Sequence, residues 1–527
     1  MIDPVLVIGA GPTGLTAALE LSRFGIKVRL IDKRDAPATT SRAIGVQART
    51  LELFEQRGLA GEMVRLGNEG RFGSVYSGGE RVFRLDFAHI ESPYPYILFI
   101  SQAETERVLR DALMRHGIEP EWRTELVAIQ QDALSRDQSP AHAVLKRADG
   151  AMEHVATPWL IGAEGAHSLV RTTLDLPYEG HTREEQYALG DLRIEGGLTD
   201  TDFHIFSSDH GFLGLFPMGG EHFRLIASNP LSEPSAASAP SQDELQKIFD
   251  QRSPIRARFH DMTWSSWFRI NSRMVPRLKI GRLFLGGDSA HIHSPAGAQG
   301  MNTGIQDMIN LCWKLARVVT QKAPEALLDT YESDRLPVMR NVLQRTDALT
   351  TTIGSENKVA RMLFNHLGPF VGGADFVQEN ATANMSQIAV SYRDSELSER
   401  HRGGGSLHAG DRIPTIVVRR RENGAWTETS LLSALDPSHF TLLVAAQNGD
   451  GIPDSLRAAG FDGRVIEIAP TNEPNGAKRF AEIFGRHSCM VLVRPDGYAG
   501  LTSPLDLAAN RIASYQTKWL SAPKASH

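Results

Sequence analysis

The sequence predicts an α/β protein of more than one domain, and three observations carry that prediction. A β-rich apolar run, Val5-Leu6-Val7-Ile8, leads into Gly9-Ala10-Gly11-Pro12-Thr13-Gly14, then a helical pattern, then a second strand ending in Asp32. Short aromatic-bearing β-like runs fill the stretch from Tyr187 to Phe268. The tail beyond residue 400 alternates strands and helices on its own account. A Rossmann-like nucleotide-binding unit with an inserted β-sheet and a separate C-terminal unit satisfies all three.

Composition narrows the class. At 527 residues the chain exceeds the size at which one core usually divides, so two or three domains are expected. Hydrophobic content of 41% and charged content of 22% fit a globular protein, and a net charge of −6 argues against a nucleic-acid partner. The two cysteines, Cys312 and Cys489, sit in apolar runs outside any metal or redox spacing, which fits a reducing cytoplasm and no bound metal. No secretory leader and no apolar run of about 18 residues is visible, so no membrane association is expected.

The elements follow in order. Gly9 permits a tight turn, Gly11 lets backbone approach a pyrophosphate, and Gly14 lets helix and strand pack closely. Gly25 stops the first helix. Asp32, 18 residues past Gly14, would accept from ribose hydroxyls. Its charge disfavours a 2′-phosphate, so the firmly held dinucleotide is FAD or NAD. Arg42 and Arg49 are either a pyrophosphate clamp or solvated surface groups. Residues 70–100 read as short β-like pieces able to join the inserted sheet. Ser101 is a helix N-cap with Glu104 as its capping-box partner, and Gln102 at that helix start either reaches a cofactor or faces solvent. Leu126 to Val155 forms a hairpin region about Asp149-Gly150, and Trp159 to Arg171 is a further strand, small-residue turn and helix start.

Tyr187 to Phe268 supplies the candidate substrate-covering sheet, with a loop at Pro230–Pro240 and a helix over Gln242–Phe249. Leu283-Phe284-Leu285 is a buried strand running into Gly286-Gly287-Asp288, and Ile305, Met308, Ile309, Cys312 and Leu315 mark a helix beyond Gly300. Asp288 suits a polyol-phosphate, and the helix start suits a ring that becomes anionic. The bland alternative is an ordinary strand–turn–helix with an exposed acid. Residues 324–366 read as helices with Tyr331, Arg335 and Pro337 in their connection. A boundary is expected within residues 396–414, followed by strands at Phe440–Ala445, Val465–Ile468 and Met490–Val493.

These motifs resemble those of the class A FAD-dependent aromatic hydroxylases of the p-hydroxybenzoate hydroxylase fold. The matching residues are the N-terminal glycine fingerprint, Gly162-Ala163-Glu164-Gly165-Ala166-His167-Ser168 and Gly286-Gly287-Asp288-Ser289-Ala290-His291. Ala409-Gly410-Asp411-Arg412-Ile413-Pro414 and Val493-Arg494-Pro495-Asp496-Gly497 resemble the thioredoxin-like C-terminal domain of the phenol and polyketide hydroxylase branch. The resemblance implies an FAD-binding domain over 1–180 and 270–395, a substrate-binding β-sheet domain over 181–269, and a thioredoxin-like domain over 400–527. It implies that Gly9, Gly11, Gly14 and Asp32 hold the ADP half of FAD, that Arg42 and Gln102 contact the cofactor, and that Asp288 binds its ribityl or pyrophosphate part. Pro295 and the turn reaching Gly300, Met301 and Asn302 would lie against the flavin ring. NADPH or NADH would visit as electron donor, and O2 would add to the flavin as a hydroperoxide that hydroxylates a small phenolic or polycyclic aromatic. The family's usual Asp-Gly is Glu164-Gly165 here, which weakens nicotinamide contact, and Ser294 replaces a common proline. The tail's resemblance also implies a homodimer. No catalytic acid or base is assignable, and His291 and His293 read equally well as structural. Rival readings are a Baeyer–Villiger or epoxidising oxygenase on the same fold, a halogenase whose tryptophan motif is absent, and an NAD-dependent dehydrogenase.

Overall fold

The computed structural model describes residues 3–39, 43–130, 140–229, 239–295, 297–353, 375–399, 405–446, 451–457 and 460–521. Val5–Ile8 lies at the centre of a six-stranded sheet, flanked by Val28–Asp32 and Leu160–Gly162, with Leu283–Leu285 one strand further out. These strands are parallel, so their carboxyl ends open on one edge. Their side chains are buried on both faces, which explains why they read as unbroken apolar runs. The helices Pro12–Arg23 and Gly300–Val319 pack on each other over this sheet. Pro12 opens the first of them, where its missing N–H costs nothing, and Gly25 at φ +74° closes it.

The second large sheet has eight strands, and its strands include Glu179–Gly196, Asp202–Ser208, Gly211–Gly219, His222–Asn229 and Ala257–Met274. Phe72–Ser77 and Glu80–Asp86 join its edge, as expected for residues 70–100. One face packs under the helix Gln242–Arg252, whose Leu245 and Phe249 enter a core with Phe206, Leu213 and Leu225. The other face carries Tyr187, Leu189, Ile226 and Ile270. A six-stranded sheet in the tail contains Thr441–Ala445, Arg464–Ala469 and Cys489–Val493, matching the three expected strands.

One expectation fails. Tyr331, Arg335 and Pro337 do not lie in a connection: they sit inside a single helix, Thr330–Ile353. Proline disfavours a helix interior, but here tertiary packing overrides that preference. Tyr331 and Met339 are fully buried, and Arg335 is held by three hydrogen bonds on one side of the helix. The preceding piece, Glu325–Asp329, is a 3-10 turn, and 354–366 lie outside the described residues. Most of the Pro230–Pro240 loop does so as well. Among the described residues no helix is long and apolar enough to cross a membrane.

Candidate active site

Three strand-to-helix turns converge at the carboxyl edge of the parallel sheet. They follow Val5–Ile8, Leu160–Gly162 and Leu283–Leu285. Small residues allow them to touch. A Cβ on Gly9 would stand 2.4 Å from the Ala163 carbonyl oxygen, and one on Gly14 would stand 1.8 Å from that of Gly9. A Cβ on Gly287 would strike the Thr13 hydroxyl at 2.3 Å. The second and third turns are also stapled: Gly165 N–H donates to Ser289 Oγ at 3.0 Å, and Arg171 Nη1 donates to the Ser289 carbonyl at 3.1 Å.

Gly11 behaves differently from its neighbours. A Cβ built there meets nothing within 4 Å. It is the N-cap of Pro12–Arg23, and no side chain caps that end. Open space therefore faces a helix N-terminus with unpaired amides, the arrangement that receives a pyrophosphate. The residues present fit the ADP half of FAD.

Asp32 closes the next strand. Its carboxylate accepts from Ala10 N–H at 2.7 Å and from Arg34 through Nε at 3.1 Å and Nη2 at 3.0 Å. Burial raises its pKa, but the hydrogen bonds from Arg34 and Ala10 outweigh burial and hold it below the usual carboxylate range. The carboxylate is thus charged and fixed in place by Ala10 and Arg34. Gln102 opens the helix Gln102–Met114, and its amide donates to Glu106 at 2.9 Å. Ser101 caps that helix by accepting from Glu104 N–H, as expected. Arg42 lies outside the described residues.

Arg49 is not a phosphate clamp. It is fully buried, pairs with Glu52 at 3.1 Å, and donates to the Asp496 carbonyl at 2.9 Å. An arginine can be read from sequence as basic, but its partner here comes from the far end of the chain. Glu164 likewise turns inward: its Oε1 accepts from Val170 N–H at 2.9 Å, and burial raises its pKa. It is half-buried and supports the first turn of the short helix that Ser168 caps.

The third turn is held from behind by a buried ionic chain. Asp288 is exposed in the turn Gly287–Ser289, and its carbonyl accepts from Tyr178 Oη at 2.9 Å. Below it, Asp307 Oδ2 accepts from Gly287 N–H at 3.1 Å and meets His291 Nε2 at 2.8 Å. Asp307 Oδ1 accepts from Arg335 Nε at 2.8 Å, and Arg335 Nη1 donates to Tyr392 Oη at 2.9 Å. The side chains of His291, Asp307 and Arg335 are all 0% exposed. His291 is therefore a structural member of this chain.

The turn toward Gly300 forms the adjoining wall. Pro295 is exposed, and Gly297 and Ala298 take φ of +79° and +51°. Asn302 locks the turn from inside the helix: its Nδ2 donates to the carbonyls of Gly45 and Ala298 at 2.8 Å, and its Oδ1 accepts from Gln47 N–H at 2.9 Å. Gln299 caps Gly300–Val319 without a side-chain hydrogen bond, so the first-turn amides around Gly300, Met301 and Asn302 stay open for negative charge. His293 packs against Gly300, and burial pushes its imidazole down to about 4, so it is neutral at pH 7.

Opposite stands the inner face of the eight-stranded sheet. Tyr187, Leu189, Ile226 and Ile270 are buried there, with Phe212, Phe216, Trp264 and Phe268 partly buried against them. Phe216 reaches Phe99 at 5.9 Å, and Phe99 pairs with Gly45 on the strand beside Ala298. An aromatic wall thus faces the Gly297–Gly300 turn. Sequence reasoning missed Asp307, whose partners lie 16 to 28 residues away, and Gln47 and Gln387, whose partners Asn302 and Gln306 lie more than 80 residues away. A hint was present in Asp307, an acid within an otherwise apolar helical run.

With this geometry in place, family membership follows. The chain matches the model of the FAD binding domain family over residues 3–346 and belongs to that family, as a flavoprotein monooxygenase of the class A aromatic hydroxylases. FAD is its cofactor and NAD(P)H its electron donor. It is 33% identical to the 6-methylpretetramide 4-monooxygenase of Streptomyces rimosus over 516 residues, covering 94% of this chain and 89% of the relative. It is 33% identical to the pentachlorophenol 4-monooxygenase of Sphingobium chlorophenolicum over 424 residues, covering 79% and 76%. Among solved structures it resembles the OxyS anhydrotetracycline hydroxylase of Streptomyces rimosus, with a TM-score of 0.77, 26% identity, and coverage of 99% and 100%.

Proposed function

We propose that this flavoprotein hydroxylates a polycyclic phenol, held between the aromatic sheet face and the Gly297–Gly300 turn. The open space over Gly11 at the start of the first helix carries the reading. Gly9, Gly11, Gly14 and Asp32 hold the ADP half of FAD. Arg42 and Gln102 contact the cofactor, and Asp288 binds its ribityl or pyrophosphate part. Pro295, Gly300, Met301 and Asn302 lie against the ring. Bound FAD supplies the activation of O2 once NAD(P)H has reduced it. The chain's own part is to place the substrate, exclude water and steady negative charge with the amides at Gly300–Asn302.

The domain division supports this reading: 1–180 with 270–395 for FAD, 181–269 for substrate, with residues 70–100 lending two strands. Residues 400–527 form a thioredoxin-like unit without redox work, because the chain has no cysteine pair. Its strand order 464–469, 441–445, 489–493, 499–504, parallel then antiparallel, supports that assignment. A cytoplasmic homodimer completes the proposal.

The test is a screen of NAD(P)H oxidation over mono- and polycyclic phenols. The expected product gains one oxygen from labelled O2 as a ring hydroxyl located by NMR. Insertion of that oxygen as a lactone would favour the Baeyer–Villiger reading, and purified chain that binds no FAD would end the proposal.

A further inference from the structure

The inner face of the eight-stranded sheet carries a buried cation, Arg224, one of whose nitrogens has no partner among the described residues. Cross-strand pairing sets Phe216 opposite Arg224, Arg224 opposite Asp191, and Asp191 opposite Trp264. These four side chains form one row across the wall that faces the Gly297–Gly300 turn. Arg224 is bidentate to Asp191, with Nε to Oδ1 and Nη2 to Oδ2 both at 2.6 Å. Its side chain is only 1% exposed, while that of Asp191 is 30% exposed. The Trp264 ring lies 5.8 Å from the guanidinium. Nη1 is buried and has no partner among the described residues.

A guanidinium carries five N–H groups, and the fork to Asp191 uses two of them. The remaining edge sits among aromatic side chains, where an unmade hydrogen bond is costly. Asp191 fixes the plane of that edge in advance, so a ligand oxygen would meet a preorganised donor. A neutral aromatic hydrocarbon would leave it unsatisfied. An oxygen carrying negative charge, such as a phenolate or the enolate of a β-diketone, would complete it between Phe216 and Trp264.

We propose that Arg224, aligned by Asp191, is a specificity-determining residue that takes an acidic oxygen of the aromatic substrate. This rests on the aromatic-hydroxylase reading and adds a required feature to the ligand: an ionisable oxygen on the fused rings. Asp191 is a positioning residue, acting through Arg224.

The test uses holoenzyme and two probes of one ring system, 1,8-dihydroxyanthraquinone and unsubstituted anthraquinone. Binding is followed by quenching of flavin fluorescence, and KM and kcat by probe-dependent NAD(P)H oxidation. The parent protein is expected to bind the dihydroxy probe at least 10-fold more tightly. Arg224→Met is expected to erase that preference through the dihydroxy probe alone, and Arg224→Lys to restore part of it. Asp191→Asn is expected to raise KM with kcat nearly unchanged. Should Arg224→Met lose its flavin or its thermal transition, Arg224→Lys and Asp191→Asn carry the comparison. Equal binding of both probes by the parent, or an unchanged preference in the folded variants, overturns the proposal. Failure of every phenol to stimulate oxidation of either NADH or NADPH counts against the hydroxylase reading itself.

Discussion

Gly11 and Gly14 are three residues apart and do opposite things. A methyl at Gly14 would collide with backbone 1.8 Å away, while one at Gly11 would enter open space. Gly14→Ala is therefore expected to lower stability by about 3 kcal/mol or more, read as a fallen denaturation midpoint of the apoprotein. Gly11→Val is expected to leave that midpoint nearly unchanged while FAD affinity falls at least ~10-fold, about 1.4 kcal/mol. Retained FAD in Gly11→Val would show that the cofactor lies elsewhere. Two histidines set an acid limit. Burial pushes His293 and His204 down to about 4, below the ordinary 6.5. The unfolded chain therefore binds more protons between those values, and stability falls as pH drops from about 6.5 toward about 4. Denaturant midpoints across that window should decline, and His204→Phe should flatten the decline. A flat profile in the parent would contradict the assignment.

The helix Gly300–Val319 is the element on which the site turns. Its N-terminus offers open amides, Asn302 locks the preceding turn, and Asp307 holds Gly287, His291 and Arg335 together. Replacing one member of a fully buried ionic chain leaves the others unpaired, at a cost of about 3–5 kcal/mol. Asp307→Asn is thus expected to lower stability on that scale and to speed FAD release, whereas Arg335→Lys should recover little. Stopped-flow release of FAD from both variants checks this, and unaltered release rates would sever the link. Much of this element was legible: its start at Gly300 and its apolar face follow from spacing alone. The partners of Asp307 were not legible, because hydrogen bonds to Gly287 and Arg335 span 20 and 28 residues and leave no periodic trace. Pro337 misled for a related reason, since burial of Tyr331 and Met339 secures a helix that local preference would break.

At the scale of the molecule, the tail enters the first unit through a polar plug. Arg494 donates to Asp334 at 2.6 Å and to Asp496 at 2.5 Å, and Asp496 accepts from Trp313 and Asn310 at 3.1 Å. Lys314 donates to Asp334 at 2.7 Å, and burial pushes its amine down to about 8. Arg49, which the sequence leaves open as a phosphate clamp or a solvated surface group, belongs to this junction through Asp496. Trp313, Asn310 and Lys314 lie on the same helix whose start we propose faces the flavin ring, so undocking the tail should disturb the site. Arg494→Met is expected to make the tail sensitive to limited proteolysis and to weaken FAD retention together. Proteolysis without FAD loss would show that the tail is docked but uncoupled.

By itself the sequence determined the nucleotide-binding frame: the glycines at 9, 11 and 14, the acid at 32, the buried strands and the helix from Gly300 are local features, written in spacing and residue size. The tertiary structure alone decided which charges serve the fold. Arg49, Glu164 and His291 look functional in isolation, yet each is claimed by a partner in the interior. Arg224 drew no notice in the chain and emerges only when strand register sets it beside Asp191 and Trp264. Backbone geometry is governed by neighbours in sequence, whereas a buried charge is governed by whatever the fold brings within about 3 Å of it.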